Sequence, residues 1–484
     1  MRLDRDKLNT TRKALKYSKS RSKKAFRNRE ALNPLGSSTH SSGPEPKKSQ
    51  RHAKSKTLIS ITLLFLILGI FVLSFGFIFS RSSTFLAFLK GISSSTQLTA
   101  KIDKEITIDK GFESRISRVI STPDGFVGIG STIADESEKY QILLTKVDDD
   151  GNIVWVKTFG AENDDLGYDI IQTDDGFFVL GTTSSKSLGT KGRYDVLLLR
   201  LDKNGNTIWQ KTYGGPDWDR AYRMVRAGNN FVFVGDNYAK GNDVTENFGE
   251  HDYWTVMFSS DGKIIWDRSF GGTRWDRAYA VGYDPMKGQI LVAGSSNSFT
   301  DGTRYDGYVV SYNSAGQLIW QTVLTNSHTL WPMDLSITER AIFVSGYVYE
   351  NFNDANSERL GTERAFIAKL TINGQVEYIK TFGENVRIHS VLNSLQSEGQ
   401  NGIDTLYFAG YKYDGEKKLP WYGLFEYDKS SGKLQVVEKT IDTDYGMLFS
   451  ISYDEKRNVF VLSGTIMKDG KMKGLIKLLS NIES

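Results

Sequence analysis

Two five-residue stretches hold the side chains best suited to chemistry: Trp218-Asp219-Arg220-Ala221-Tyr222 and Trp275-Asp276-Arg277-Ala278-Tyr279. Trp and Tyr offer flat faces to a sugar ring or an aromatic group. Asp and Arg fix hydroxyls, peptide groups or carboxylates through directed hydrogen bonds. Asp165 and Tyr168, and further on His328 and Trp331, fall in matching stretches and complete a candidate ligand-binding set. The same residue types also suit a plainer role, knitting one structural repeat to the next, because fold-defining positions outnumber sites grafted onto widely used folds. Arg193-Tyr194-Asp195, His251-Asp252-Tyr253-Trp254 and Arg304-Tyr305-Asp306 carry the same two readings.

No catalytic constellation stands out. The five histidines (His40, His52, His251, His328 and His389) lack metal-ligand spacing, and a zinc site needs three or four convergent ligands. Asp148-Asp149-Asp150-Gly151 lacks the alternating ligands and distal Glu of a calcium loop. The chain has no cysteine, which excludes disulfides, zinc-thiolate sites and a thiol nucleophile. The Gly-rich run Gly125–Gly130 has neither dinucleotide-loop spacing nor a following helix, and the phosphate-loop, metalloprotease and serine-hydrolase signatures are missing. No catalytic residue, metal or cofactor is therefore assigned. Paired carboxylates on facing loops are the enzymatic route that stays open, as in a glycan hydrolase or lyase.

The elements that must position these residues repeat. A turn ending in Gly, a β-rich run and an aromatic residue four places later recur as Gly151…Trp155, Gly205…Trp209, Gly262…Trp266, Gly316…Trp320 and Gly374…Tyr378, with Gly432…Val436 a weaker sixth copy. The final positions of these phrases lie 54, 57, 54, 58 and 58 residues apart, a period that marks a repeat architecture. One period reads as four strands: A over Asp169–Gln172, B over Phe177–Thr182, C over Asp195–Leu201 and D over Asn206–Thr212. Four short antiparallel strands per repeat are the pattern of a β-propeller blade. The seventh repeat offers A (Met447–Tyr453), B (Val459–Gly464) and C (Lys473–Leu479) and then stops. The run Glu105–Gly111 resembles a D strand and directly precedes the first A strand, Arg115–Ser121. Pairing it into the last blade would close the ring and remove two sheet edges. The expected fold is all-β: a seven-bladed propeller of four-stranded antiparallel blades over residues 104–484, closed by an N-terminal strand.

The repeats resemble the bacterial seven-bladed propeller repeat family (SBBP-type). The resemblance rests on Gly214–Tyr222, Gly271–Tyr279 and Tyr194–Asp202 followed by Asn204-Gly205, and spans roughly residues 104–480. It implies a cell-envelope propeller and leaves the role open.

Ahead of the repeats lie three different segments. Residues 1–56 hold 17 Lys+Arg against 4 Asp+Glu, a charge of +13, so the rest of a chain whose net charge is +4 carries −9. A polar, Ser-rich segment of this kind buries too little apolar surface to fold alone. Thr57–Ser80 holds 24 residues without a charge, enough to span a bilayer as a helix. The basic excess before it places the N-terminus in the cytoplasm and the body outside. Residues 81–103 read as a linker.

The expectation is thus a single-pass cell-membrane protein anchored by residues 57–80. Its propeller would be a binding or scaffolding module for an envelope protein, peptide or glycan, with no nucleic-acid partner. The long B–C loops, Ser184–Arg193, Tyr238–His251, Ser295–Arg304 and Tyr349–Arg364, fall on one face together with the D–A segments and their candidate residues. Loops on a rigid scaffold are where such proteins place recognition.

Overall fold

The recurring Gly…Trp phrase is a joint between successive sheets. In the computed structural model the Gly of each C–D turn has a left-handed backbone, with φ of +72° at Gly205 and +74° at Gly262, a conformation that favours glycine. The space a Cβ would need there is taken by the Trp of the preceding D strand. Trp155 lies against Gly205, Trp209 against Gly262, Trp266 against Gly316 and Trp320 against Gly374. Two residues after the Trp, a long side chain ties the same turn: Lys157 Nζ donates to Asn204 O at 2.7 Å, Lys211 Nζ to Asp261 O at 2.6 Å and Arg268 Nε to Gly316 O at 2.7 Å.

The structure describes residues 103–482 apart from 134–138, 301, 303, 327, 350–351, 354–357, 360–361 and 394–401. The basic tail, the apolar segment Thr57–Ser80 and nearly all of the linker lie outside them. Among the described residues no helix is long and apolar enough to cross a membrane.

The described chain is all-β, with propeller-like repetition of four-stranded antiparallel sheets. Five separate four-stranded sheets follow one another, each in the order A-B-C-D. The first consists of Asp165–Thr173, Gly176–Thr183, Asp195–Asp202 and Thr207–Tyr213. Its A strand begins four residues before the sequence expectation, because a bulge between Gly167 and Asp169 lets pairing continue past the break in alternation. A sixth, eight-stranded sheet holds both chain ends. One half is Glu113–Thr122, Gly125–Ile133, Tyr140–Val147 and Ile153–Phe159. The other is Gly446–Asp454, Val459–Lys468 and Lys471–Leu479, with Asp103–Ile108 as its fourth strand. A single parallel bridge, Glu113 to Met472, joins the halves. The first strand runs antiparallel to the last, from Asp103 opposite Leu479 to Ile108 opposite Gly474. Ile106 and Ile108 are buried in a cluster with Ile116, Leu143, Ile476 and Leu478.

Candidate functional site

Each A strand carries the same bulge, and it creates the site. At the bulge the A-strand carbonyl is pressed onto the B strand, where only Gly leaves room. A Cβ on Gly130, Gly235, Gly294 or Gly410 would fall within 1.9 Å of the carbonyl oxygen of Arg115, Arg220, Arg277 or Arg387. Four A strands therefore present an arginine at one register position on the long-loop face. Leu166, Trp331 and Met447 hold that position in the other three A strands. The bulged residue itself turns inward. Tyr168, Tyr222 and Tyr279 are buried in a row, with ring centroids 5.4 and 5.5 Å apart, and Trp331 continues it 6.3 Å from Tyr279.

The aspartates of the candidate set close loops. Asp219 Oδ2 accepts the Gly215 amide at 2.8 Å, Asp276 Oδ2 the Gly272 amide at 2.8 Å, and Asp165 Oδ2 the Ala161 amide at 2.7 Å. Asp195 does the same for Lys191, and Asp252 for Phe248. In each case the donor lies four residues back, so one carboxylate satisfies a loop amide that no strand pairs. Two such carboxylates meet over each Gly-Gly pair. Asp252 Oδ1 and Asp276 Oδ2 lie 2.1 and 2.4 Å from where a Cβ on Gly271 would stand, and Asp195 and Asp219 flank Gly214 in the same way. Burial pushes these acids up, Asp219 to about 8 and Asp252 to about 7, and the neighbouring carboxylate adds to the rise.

The tryptophans pair across loops. Trp218 lies 4.9 Å from Tyr194 on one side, with the Arg220 guanidinium 5.7 Å from its ring centre. Trp275 stands between His251 at 4.5 Å and Arg277 at 4.5 Å, and Trp331 lies 4.6 Å from Tyr305. Much of each of the first two indole faces is thus taken up within the protein. His328, half-buried, precedes the A strand Thr329–Ile337. His389 is buried at a bulge position, its Nδ1 2.8 Å from Leu448 O, and burial pushes its pKa down to about 3.

Among the loop-face aspartates Asp236 differs from those that close loops. Burial works against the charge of Asp236, yet Arg220, His251 and Arg277 together hold it well below the usual carboxylate range. Arg220 Nη2 donates to Asp236 Oδ2 at 2.9 Å and the Tyr222 hydroxyl to Oδ1 at 2.8 Å, while His251 Nδ1 lies 2.6 Å from Oδ2. Burial lowers the His251 pKa, against the pull of Asp236.

No family model matches the chain. No curated protein matches it either. Among solved structures it is similar to the polysaccharide lyase Uly1, at 8% identity over 79% of this chain and 100% of that one, with a TM-score of 0.48. It is similar also to Sqt1 from Chaetomium thermophilum, at 11% identity over 77% and 99% of the two chains, TM-score 0.43. A chain of a mitotic checkpoint complex gives 9% identity over 79% and 97%, TM-score 0.42.

The sequence pattern groups Arg220, Arg277 and the tyrosines as candidates and passes over Arg115, Asp236, Glu363 and Arg387, which the structure places beside them or at the equivalent bulge. Their signal is positional: the arginine one residue before the A-strand position that faces a B-strand Gly. Seeing it requires the bulge, which breaks the two-residue alternation along the strand. Among the described residues no group of three His, Asp or Glu side chains is disposed to hold a metal.

Proposed function

We propose that this chain is a membrane-anchored binding or scaffolding module whose long-loop face docks a protein of the cell envelope. In this reading the four-stranded sheets are the blades of a closed seven-bladed ring of SBBP type, and residues 57–80 hold it to the membrane. Pairing of the first strand with the last supports closure. The observation that carries the docking reading is an aromatic patch on the loop face: Phe248, Phe299 and Trp275 are exposed by 52, 50 and 36%. Their loops touch, since Gly249 lies against the Gly272 carbonyl and Gly272 against the Phe299 ring. Exposed aromatic side chains gathered on adjoining loops favour a protein partner. The raised-pKa acids that a glycan hydrolase or lyase would call on, Asp219 and Asp252, are fully buried and occupied with loop amides, which favours binding over hydrolysis.

The test is retention of envelope proteins by the full chain in detergent. Phe248→Asp with Phe299→Asp should abolish specific capture while the chain stays folded, with a modest fall in the thermal midpoint because the Phe299 ring packs against Phe270 and Tyr308. Capture that survives the double change would remove the loop face as the docking surface.

A further inference from the structure

The D strands carry a bulge of their own, next to the C–D turn. In four consecutive sheets the residue before the joint Trp is the extra one. Val154, Ile208, Ile265 and Ile319 each fall between two residues that pair with successive positions of the C strand. Their side chains are exposed by 56, 55, 49 and 44%, and Ile153 and Leu318 beside them are exposed too. The sheets that follow are polar at this position. Glu377 stands at the same bulge and Gln435 one residue before Val436, both exposed. In the closing strand Lys104 lies against Gly151 where other joints have Trp, so Asp103 holds the position there. The fold thus tolerates polar residues here, and an apolar one in four sheets running forms an arc rather than scattered single exposures. A bulge on an edge strand blocks further strand pairing, so whatever covers the arc meets it through side chains.

Resting on the membrane-anchored reading above, we propose that this arc binds a second copy of the chain, side by side in one membrane. The preceding chain enters every copy at the turn end, because Asp103 opposes Leu479, the last residue of its C strand. The bulges lie at that same end, within two residues of the first D-strand pair. Copies tethered through that end to one membrane present their arcs to one another at one level. A two-fold axis along the membrane normal then makes the contact isologous, centred on Ile208 and Ile265, the middle two of the four. Two convex rims touch over few side chains, short of the roughly 1,200 Å² that stable complexes bury. The pair is therefore weak in solution and forms where a membrane concentrates the chains. Glu377, Gln435 and Asp103 leave the rest of the rim polar, which favours a pair over a continuous array.

The full chain in phosphatidylcholine vesicles tests this. It has no cysteine of its own, so one can be placed at a time and linked by a short bismaleimide. Dimer yield from Ile208→Cys and Ile265→Cys should exceed that from Glu377→Cys and Gln435→Cys by at least about tenfold, with Val154→Cys and Ile319→Cys between. Ile208→Asp with Ile265→Asp, both at exposed bulge positions outside the strand ladder and so folded, should remove linking through Ile319→Cys. Equal yields round the rim, no dimer at all, or dimers that persist in the double Asp variant would overturn the pairing. Flotation of the vesicles separates the two readings. Chains that float without arc-specific dimers keep the anchor and lose the pair, whereas chains that fail to float remove the anchor and the pair with it. In native membranes, a single foreign protein linked at Ile208→Cys in place of a second copy would also overturn it.

Discussion

The sheets between Asp165 and Phe382 and those at the C-terminal end solve the same strand order with different connections. In the first group the B–C loops are long, and a buried aspartate accepting an amide four residues back closes two of them, at Asp195 and Asp252, and three of the D–A segments beside them, at Asp165, Asp219 and Asp276. In the second group the B and C strands are long instead: Ile403–Asp414 turns directly into Lys417–Asp428, and Val459–Lys468 into Lys471–Leu479. A tight hairpin leaves no loop amides to satisfy, so no carboxylate is needed at its mouth. The joints between sheets differ too. Trp gives way to Tyr378, whose hydroxyl donates to Asp404 at 3.1 Å, and no neighbouring atom crowds the turn glycine Gly432 within 4 Å. The lesson is that loop-face aspartates follow loop length, whereas arginines follow the bulge and occur in both groups.

The largest effect should come from the closing strand of the second group. Removing residues 103–109 takes away six paired residues and buries nothing in place of Ile106 and Ile108, whose burial is worth about 1.5–3 kcal/mol each. The thermal midpoint should fall by on the order of 10 °C, with loss of a single transition. An unchanged midpoint in calorimetry would show that the C-terminal group is stable without its borrowed strand.

The next effect separates the two arginine pairs. Arg220 finds Asp236 directly across the same sheet. Arg387 takes its acid from the preceding sheet: Glu363 accepts from Nε at 2.5 Å and from Nη2 at 2.6 Å, and Tyr349 joins at the same guanidinium. That pair stitches sheets where loop contacts are fewer. Glu363→Gln should cost about 3–5 kcal/mol by leaving a buried guanidinium uncompensated, measured by denaturant unfolding. A cost below about 1 kcal/mol would mean that the tyrosines around Arg387, with Tyr347 4.1 Å from its guanidinium, suffice.

Much of this was legible in the residues. The strand order, the C–D turns with Asn204-Gly205, and the grouping of Trp218, Trp275 and their neighbours on the long-loop face follow from the 54–58-residue period. What the period could not convey was side-chain direction after a bulge. Tyr222 and Tyr279 read equally as ligand contacts or as residues knitting one repeat to the next, and only the bulge shows that the extra residue turns them inward. Asp219 and Asp276 carry both a ligand-binding and a repeat-knitting reading, and the structure gives them amides of their own loops as partners. Arg387 escaped notice because Ile388 and His389 replace the Ala-Tyr that follows Arg220 and Arg277.

The smallest effect, and the one that sharpens the comparison most, concerns pH. Burial raises the pKa of Asp219 to about 8 and of Asp252 to about 7, above the value such acids have in an unfolded chain. A raised acid binds its proton more tightly when folded. Its contribution to stability is therefore complete below about pH 4 and is lost as pH rises through 7 and then 8. Asparagine keeps an acceptor for the loop amide and carries no charge to bury. Asp219→Asn and Asp252→Asn should thus change stability at pH 5 by no more than about 1 kcal/mol and become relatively more stable than the parent by pH 9. The stability-against-pH curve of each variant should be flatter between pH 5 and 9, read from denaturant midpoints. Lys417→Ala, beside the tight C-terminal hairpin, should leave the slope as it is. If the aspartate variants keep the parental slope, the paired carboxylates over Gly214 and Gly271 do not hold a proton near neutral pH, and the difference between long-loop and hairpin sheets is one of shape alone.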